Sequence, residues 1–314
     1  MEFVTRVSVR AIGASSFVGV LLCFSSLGCG VETSTSEAVA AWKATIAKLE
    51  PLHEPLREPG PSDWLANHKE SGQTFQQYLT SKPVRPTRGR RTIYIQPLGP
   101  FTEKQREIID LSAEFLRLYY NLPVKIQKDL ALAVIPDKAR RKHPSWAVDQ
   151  ILTTFVLNDV LRPRLPDDAA AYIAFTATDL WPGKGWNFVY GQASLQHRVG
   201  VWSINRNGDP EAGENEFRLC LRRTLKTAAH ETGHMFSIKH CIAHECNMCG
   251  RNNRAESDRS PLYLCPQCVA KVCWATNTDI VERYQKLAKF CKDQRLDDEE
   301  EFYKKSIYLL AVSR

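Results

Sequence analysis

The sequence predicts an α/β fold in which a mixed, mostly parallel, twisted sheet is covered by helices. Two observations support this prediction. The chain has 314 residues, of which 43% are hydrophobic and 25% charged, and this composition excludes wholly disordered, collagen-like and polytopic membrane proteins. Segments typical of strands and helices then alternate from residue 92 onwards, an order that favours parallel strands joined by helical crossovers.

The first strand–helix–strand unit lies between residues 92 and 127. Thr92–Gln96 is rich in β-branched and aromatic residues, as strands are. Thr102 and Gln105 form a capping box, and the apolar residues after them recur at helical spacing as far as Tyr120. Val124–Gln127 is predicted to be the second strand, which completes a βαβ unit.

More elements follow in the same order. We predict an amphipathic helix over Trp146–Leu161 and strands over Tyr172–Thr178, Asn187–Tyr190 and Val199–Ser203. A longer helix is expected to start near Glu214. The predicted domain of α/β type thus ends on a helix that carries an unusual concentration of histidines.

The N-terminal segment has the layout of an export signal. Arg6 and Arg10 precede the uncharged, apolar stretch Ala11–Gly28. The following Cys29 stands where bacterial lipoprotein precursors are cleaved and lipidated, although Ser26 occupies a position at which Leu is usual. We expect residues 1–28 to be the signal, with export and membrane attachment through lipidated Cys29. An uncleaved anchor, or a wrong start codon and a cytoplasmic protein, are the alternatives.

Composition also suggests the domain boundaries. Residues 29–89 are predicted to be a tether and an N-terminal extension, because the chain there is polar and repeatedly broken by proline. We expect this extension to brace the core. Residues 90–295 form the predicted catalytic-type domain, and residues 296–314, which begin with an acidic run, are expected to be a solvated C-terminal tail.

The predicted helix from Glu214 contains the sequence His-Glu-x-x-His at residues 230–234. This spacing places His230 and His234 one turn apart on one helical face, where both can bind a single Zn²⁺. His240 is too far along to share that face, so the helix must end near Ser237. Three protein ligands and an open fourth position are typical of a catalytic zinc, and Glu231 is then placed to act as general base.

The residues that follow resemble the archaemetzincin family of zinc metallopeptidases, within the metzincin clan. His240 is followed at once by Cys241, then by Cys246-Asn-Met248 and by Cys265-Pro-Gln-Cys268. The resemblance covers residues 90–295 and implies a zincin-like (metzincin) fold with an active-site helix and a cysteine-rich zinc subdomain. It further implies a catalytic zinc on three histidines, a zinc-bound water activated by Glu231, and a support beneath the site from Met248.

The resemblance also implies a second, structural zinc on four cysteines, Cys241, Cys246, Cys265 and Cys268, giving two Zn²⁺ per chain. Spacing alone permits another set. Cys246 and Cys249 form a Cys-x-x-Cys pair sixteen residues before Cys265, which is a zinc-ribbon pattern. We favour Cys241 over Cys249 because Cys241 belongs to the family motif.

Ser237 departs from the metzincin signature, in which this position is Gly. A left-handed conformation there costs a non-glycine residue roughly 1–2 kcal/mol. From the sequence we therefore expect Ser237→Gly to increase zinc affinity or stability.

These patterns predict a zinc-dependent metallopeptidase that acts on a peptide or protein substrate. The resemblance implies that the substrate pairs antiparallel with an exposed edge strand, and Tyr190–His197 together with Val199–Ser203 is the candidate for that rim and strand. The alternative is a zinc-stabilised module that binds peptides or proteins with weak or no proteolysis. We expect a monomer, and no nucleic-acid binding, because aromatic and basic residues do not alternate around Cys246–Cys268.

Overall fold

The computed structural model describes residues 35–312. The predicted signal at residues 1–28 and the predicted lipidation site Cys29 lie outside them. No helix in the described range combines the length and the apolar character that crossing a bilayer requires.

The described residues form eight strands: β1 Thr92–Leu98, β2 Val124–Ile126, β3 Arg140–Lys142, β4 Asp149–Leu152, β5 Ala169–Thr176, β6 Asp179–Trp181, β7 Gly191–Ala193 and β8 Val199–Ser203. Five of them make the main sheet, in the order β2-β1-β5-β8-β7. Neighbouring strands in it are parallel except at the edge, where β7 runs antiparallel to β8. The predicted α/β class and mostly parallel sheet are confirmed.

The same part of the chain contains ten α-helical segments: α1 Thr35–Leu49, α2 Trp64–Asn67, α3 Phe75–Thr80, α4 Glu103–Tyr120, α5 Thr153–Phe155, α6 Glu214–Met235, α7 Arg254–Arg259, α8 Pro266–Thr276, α9 Ile280–Asp293 and α10 Asp297–Val312. The capping box of Thr102 and Gln105 starts α4, as the sequence predicts. Helix α5 continues as a π-helical segment, Val156–Leu161.

The three central strands of the main sheet, β1, β5 and β8, are buried on both faces, which explains why β1 is mostly apolar rather than alternating. Ile93 and Ile95 face the larger core, which also contains residues of α4 and α6. Tyr94, between them, faces the opposite core, where Val156 and Val160 pack. The sheet is therefore a middle layer that fixes α6 on one side.

The predicted helix over Trp146–Leu161 is wrong in its first half. Asp149–Leu152 is the central strand of a second, three-stranded sheet of order β3-β4-β6. The buried side chain of Gln150 donates a hydrogen bond to Asp179 Oδ2 at 2.7 Å. Pairing and this buried contact outweigh the helical spacing of the apolar residues, which is ambiguous in so short a segment.

The predicted strand over Asn187–Tyr190 is also displaced. Only Val189 makes an isolated bridge in this segment, and the edge strand β7 begins at Gly191. The carbonyls of Trp186 and Asn187 instead accept hydrogen bonds from Arg141. The guanidinium of Arg141, in β3 of the small sheet, therefore satisfies carbonyls that a neighbouring strand would otherwise bind.

The predicted solvated tail is wrong as well. Residues 297–312 form α10, which packs against α9 and buries Phe302, Tyr303 and Leu310. Glu299, inside the acidic run, is only 2% exposed and accepts a 2.7 Å hydrogen bond from Arg222. The prediction considered only the acidic run and overlooked the apolar residues that follow it at helical spacing.

The extension before the sheet packs on the rest of the domain. Helix α1 contacts α8 and α10, and α3 contacts α8. Tyr78 of α3 is fully buried and donates a 2.8 Å hydrogen bond to the carbonyl of Phe236, just beyond α6. The extension thus touches the end of the helix that carries the histidines.

Candidate metal centre

The histidines are brought together by the way α6 ends. Ser237 has a left-handed conformation with φ +62°. Its amide donates to the carbonyl of His234 at 2.8 Å, and the amide of Ile238 donates to that of Gly233 at 3.1 Å. This pair of hydrogen bonds is a Schellman motif, which reverses the chain after a helix. The reversal returns His240 to the face that holds His230 and His234.

The three imidazoles form a compact triangle. Candidate ligand atoms of His230, His234 and His240 all lie within 4.8 Å of one another. Nδ1 of His230 faces the carbonyl of Asn247 at 2.8 Å, and Nδ1 of His234 faces that of Ile238 at 2.7 Å. Because a carbonyl can only accept, both Nδ1 atoms carry the proton, and both Nε2 atoms present lone pairs.

These residues fit a zinc ion. The Nε2 atoms of His230 and His234 are 3.0 Å apart, and two lone pairs at that distance repel unless a cation lies between them. Burial, with the neighbouring imidazoles, lowers the pKa of His234 to about 3 and that of His230 well below its ordinary value. At neutral pH a proton is therefore not the cation between the two Nε2 atoms. Three neutral imidazoles are instead a suitable ligand set for Zn²⁺.

Glu231 lies between the triangle and the edge of the sheet. A Cβ on Gly191 of β7 would be 2.9 Å from Cγ of Glu231, so this approach requires glycine. Burial raises the pKa of the Glu231 carboxyl to about 8, while the positive charge of Arg251 opposes the rise. A bound cation would lower that pKa further towards the ionised form.

Glu70, in the extension, is a site residue that the sequence analysis missed. Its Oε1 lies 2.7 Å from Nδ1 of His240 and accepts a 2.8 Å hydrogen bond from Nε1 of Trp64. Burial raises the pKa of Glu70, but these hydrogen bonds more than offset it and leave the pKa below its ordinary value. Carboxylates of this kind orient metal-binding histidines. No motif surrounds Glu70, so the sequence offered no signal for it.

The cysteines form a second cluster immediately after His240. The structure brings together Cys241, Cys246, Cys265 and Cys268, all buried, with their sulfur atoms within 4.8 Å of one another. The backbone amides of Met248 and Cys265 point at Sγ of Cys246, at 3.4 and 3.2 Å. Such donors favour a thiolate, and four thiolates fit a closed tetrahedral zinc site.

Cys249 is not part of this cluster of four. Its Sγ donates to the carbonyl of His244 at 3.2 Å, a carbonyl that Sγ of Cys241 also approaches, at 3.9 Å, so Cys249 lies beside the cluster but outside the four mutually close sulfur atoms. The geometry therefore favours the set that contains Cys241 over the zinc-ribbon set suggested by spacing.

Met248 lies beneath the histidines. A Cβ on Gly233, between the two helical histidines, would be 2.7 Å from Sδ of Met248. The glycine thus lets the methionine pack directly against the helix at the level of the site. This packing of Met248 against the helix is what a structural support would make.

An open cleft of about 650 Å³ runs past the three histidines and Glu231. One wall is the edge strand β7 with Tyr190, and the preceding loop contributes Trp186 and Phe188. Trp64 of the extension lines the cleft as well. Its ring stacks on His68, whose ring is parallel to that of Trp186 with the centroids 6.0 Å apart. The volume of the cleft is within the range of clefts that bind ligands.

Fold and site together define a class of protein. A mixed sheet with one antiparallel edge strand stands beside a helix with His-Glu-x-x-His, a third histidine beyond a sharp turn, and a supporting methionine. That combination is the arrangement of a zinc metallopeptidase of the metzincin type.

Comparison with known proteins gives the family. The model of peptidase family M54 matches residues 105–273. Human archaemetzincin-2 is 33% identical over 278 residues, which cover 78% of this chain and 76% of the relative. Human archaemetzincin-1 is 28% identical, over 72% of this chain and 51% of the relative. The chain belongs to the archaemetzincin family.

A solved structure agrees. The crystal structure of archaemetzincin from Methanopyrus kandleri is 27% identical, has a TM-score of 0.50, and matches 61% of this chain and 98% of that chain. The resemblance inferred from the cysteine and histidine motifs is therefore confirmed. Glu70 lies outside the residues that the family model matches.

Proposed function

We propose that this zinc metallopeptidase hydrolyses peptide bonds with Glu231 as general base, and that His230, His234 and His240 hold the catalytic zinc. The observation that carries the proposal is the position of Glu231, which is in contact with the edge strand at Gly191 and lines the same cleft as the three histidines. A substrate paired with β7 would pass directly over both.

Zinc in such a site acts as a Lewis acid on the scissile carbonyl and lowers the pKa of water. Glu231 accepts the proton of the attacking water as the oxygen–carbon bond forms. It then passes that proton to the leaving amine as the carbon–nitrogen bond breaks, so that the products are a carboxylic acid and an amine. Burial raises the pKa of the Glu231 carboxyl, while Arg251 and a bound cation act in the opposite direction, and this balance suits a group that first takes up a proton and then releases it.

The edge strand positions the substrate. Strand β7 pairs only with β8 among the described strands, so its outer backbone groups are available to an extended peptide. Tyr190, Gly191, Gln192 and Ala193 all line the cleft. Recognition through the backbone tolerates many side chains, and the loop aromatics Trp186 and Phe188 supply the apolar contacts.

The second zinc, in this proposal, is structural and held by the four clustered cysteines. Cys241 is bonded to His240 along the chain, and its amide donates to the carbonyl of Met248 at 2.8 Å. A closed site here fixes the third histidine and the methionine at once. The expected content is two Zn²⁺ per chain.

Native mass spectrometry of the purified protein, followed by peptide cleavage assays, tests the proposal. We expect two zinc ions, cleavage by the wild type, and at least a hundredfold slower cleavage by Glu231→Gln with the zinc content unchanged. Glu107→Gln, a change at an exposed residue of α4, is the control. Two zinc ions without any cleavage would favour the alternative, a peptide- or protein-binding module.

We also propose that the chain is exported and attached to a membrane through Cys29, and that it acts as a monomer without binding nucleic acid. The layout of residues 1–29 supports the first part. Labelling with a palmitate analogue in cells that have lipoprotein machinery should mark the wild type and not Cys29→Ala. Sedimentation and an oligonucleotide-binding assay test the rest, with one chain per particle and no binding expected.

A further inference from the structure

Arg251 is a charged residue of the cleft that the proposed mechanism does not use. It follows the methionine by three residues and lines the same cleft as His230 and Glu231. One end of its guanidinium is fixed, since Nη2 donates to the carbonyl of Asn247 at 2.6 Å and to its Oδ1 at 2.8 Å. The guanidinium is therefore held in one orientation before any substrate arrives.

Negative groups lie near Arg251 without pairing with it: the thiols of Cys249 and Cys246 and the carboxyl of Glu231 each act against the lowering of its pKa by burial. Among the described residues, no carboxylate lies within ion-pair distance of Arg251, and its buried Nε has no hydrogen-bond partner. Two other arginines near the cleft differ. Arg206 binds Asp179 with contacts of 2.8 and 2.7 Å, and Arg223 binds Asp258 with contacts of 2.8 and 2.5 Å.

A half-buried cation without a directly bonded anion is costly to the folded state, because more distant negative groups replace only part of its lost hydration. Burial accordingly lowers the pKa of Arg251. A bridge to Asn247 alone does not require a charge at this place, since a neutral amide can donate to a carbonyl equally well. An anionic group of a ligand that binds in the cleft and pairs with the guanidinium would offset the cost of burying Arg251.

We propose that Arg251 binds a carboxylate of the peptide substrate. The guanidinium is the side chain that matches a carboxylate most closely in shape and charge. Ser257 and Asn252 line the cleft too. The Ser257 hydroxyl, and the second hydrogen of the Asn252 amide beside the one given to the carbonyl of Ser62, offer further donors to the same group. The carboxylate comes from an acidic side chain or from the free C-terminus of the peptide. This inference rests on the proposed peptidase function and names its substrate class.

A library of chymotryptic peptides, digested by the zinc-loaded chain and read by mass spectrometry, tests the proposal. Enrichment of Asp and Glu near the cleaved bond indicates the side-chain source. Cleavage within a few residues of the C-terminus, lost when the peptides are amidated, indicates the terminal source. In either case we expect a preference of about tenfold or more for the carboxylate over its amide counterpart, the size of one charge-assisted hydrogen bond.

Variants separate carboxylate binding from a bracing role. Arg251→Gln keeps a donor for Asn247 but loses the charge, so the preference should fall to near unity while zinc content is retained. Arg251→Lys should keep part of it. Lys184→Gln removes a positive charge from the exposed loop beside the cleft and should leave the preference unchanged. If Arg251→Gln lowers the rate of cleavage of acidic and neutral peptides by the same factor, Arg251 only braces the site, and the proposal is overturned.

A chain that cleaves nothing would refute the proposed function without deciding this one. In that case the same library is passed over the immobilised, zinc-loaded chain, and the retained peptides are identified. Retention of acidic or free-carboxyl peptides by the wild type, and not by Arg251→Gln, would support the carboxylate site without catalysis. Retention that does not depend on carboxylates, or no retention, would overturn it.

Discussion

Glu70 and His240 are joined by a 2.7 Å contact between Oε1 and Nδ1, across 170 positions of the chain. The acceptor is a carboxylate, so Nδ1 of His240 is the protonated nitrogen and its Nε2 is left with a lone pair, as in the other two histidines. Trp64 fixes the carboxylate from the other side. The extension before the sheet is therefore part of the metal centre.

Replacement of Glu70 should weaken zinc binding. Loss of a carboxylate behind a metal-binding histidine typically costs about 10- to 100-fold in affinity, because the ring loses both its orientation and part of its basicity. We expect Glu70→Ala to raise the dissociation constant of one zinc ion by that amount, and Glu70→Gln by less. Competition with a chelator of known affinity measures it.

Glu58→Gln is the matched control for this prediction. Glu58 is an exposed residue of the same extension, so its replacement removes the same charge without touching the site. The zinc ion that we propose at the cysteine cluster would serve as an internal reference within each sample. Equal zinc affinity of Glu70→Ala and Glu58→Gln would show that the contact with His240 does not support the metal.

Ser237 shows why the sequence-based expectation for Ser237→Gly needs revision. Its left-handed backbone carries the strain that the sequence predicts. The hydroxyl, however, accepts a 3.0 Å hydrogen bond from the amide of Val84 and donates one of 3.1 Å to the carbonyl of Leu195. It thus links the extension to the rim of the cleft, and two hydrogen bonds of about 1 kcal/mol each offset the strain.

We therefore expect a change in free energy of unfolding close to zero for Ser237→Gly, since relief of strain and loss of hydrogen bonds cancel. Ser237→Ala keeps the strain and loses both hydrogen bonds, so it should destabilise the zinc-loaded protein by about 1–3 kcal/mol. Denaturant unfolding of the three proteins measures the difference. An Ala variant as stable as the wild type would show that the hydroxyl contributes nothing.

The cysteine cluster predicts how many zinc ions each cysteine variant binds. Cys241→Ser and Cys265→Ser each remove a sulfur from the group of four and should leave at most one zinc ion per chain. Cys249→Ser should retain two, because its sulfur is not one of the four that lie within 4.8 Å of one another. Native mass spectrometry counts the ions. The opposite result for Cys241 and Cys249 would restore the zinc-ribbon set.

Local signals in the sequence predicted most of the fold and the centre of the site. The capping box at Thr102 and the His-Glu-x-x-His sequence act over a few residues, and the structure places both where their spacing requires. Helical spacing failed at Trp146–Leu152, and cysteine spacing alone left two sets open. What failed depends on distant partners. The strand at Asp149–Leu152 requires the small sheet, and α10 requires α9 to cover its apolar face. The roles of Glu70 and Arg251 depend on residues that only the fold brings beside them, His240 for Glu70 and the cleft with Glu231 for Arg251.

His53 provides the last prediction, a dependence of stability on pH. Its ring is buried against Tyr263, Phe302 and His244, and neither of its nitrogens has a hydrogen-bond partner among the described residues. Burial, and then the neighbouring His244, lower the pKa of His53 to about 4, whereas an unfolded histidine titrates at 6.5. Between these values the unfolded chain binds a proton that the folded chain does not, so the free energy of unfolding falls as the pH falls.

We expect this loss to begin near pH 6.5 and to level off below about pH 4. His53→Phe keeps an aromatic ring and has no proton to bind, so its stability should fall less between pH 7 and pH 5, by about 2 kcal/mol. Zinc loss at low pH affects both proteins and cancels in their difference. Chemical unfolding at the two pH values measures it, and a wild type and variant with parallel pH profiles would show that His53 is protonated equally in the folded and unfolded states.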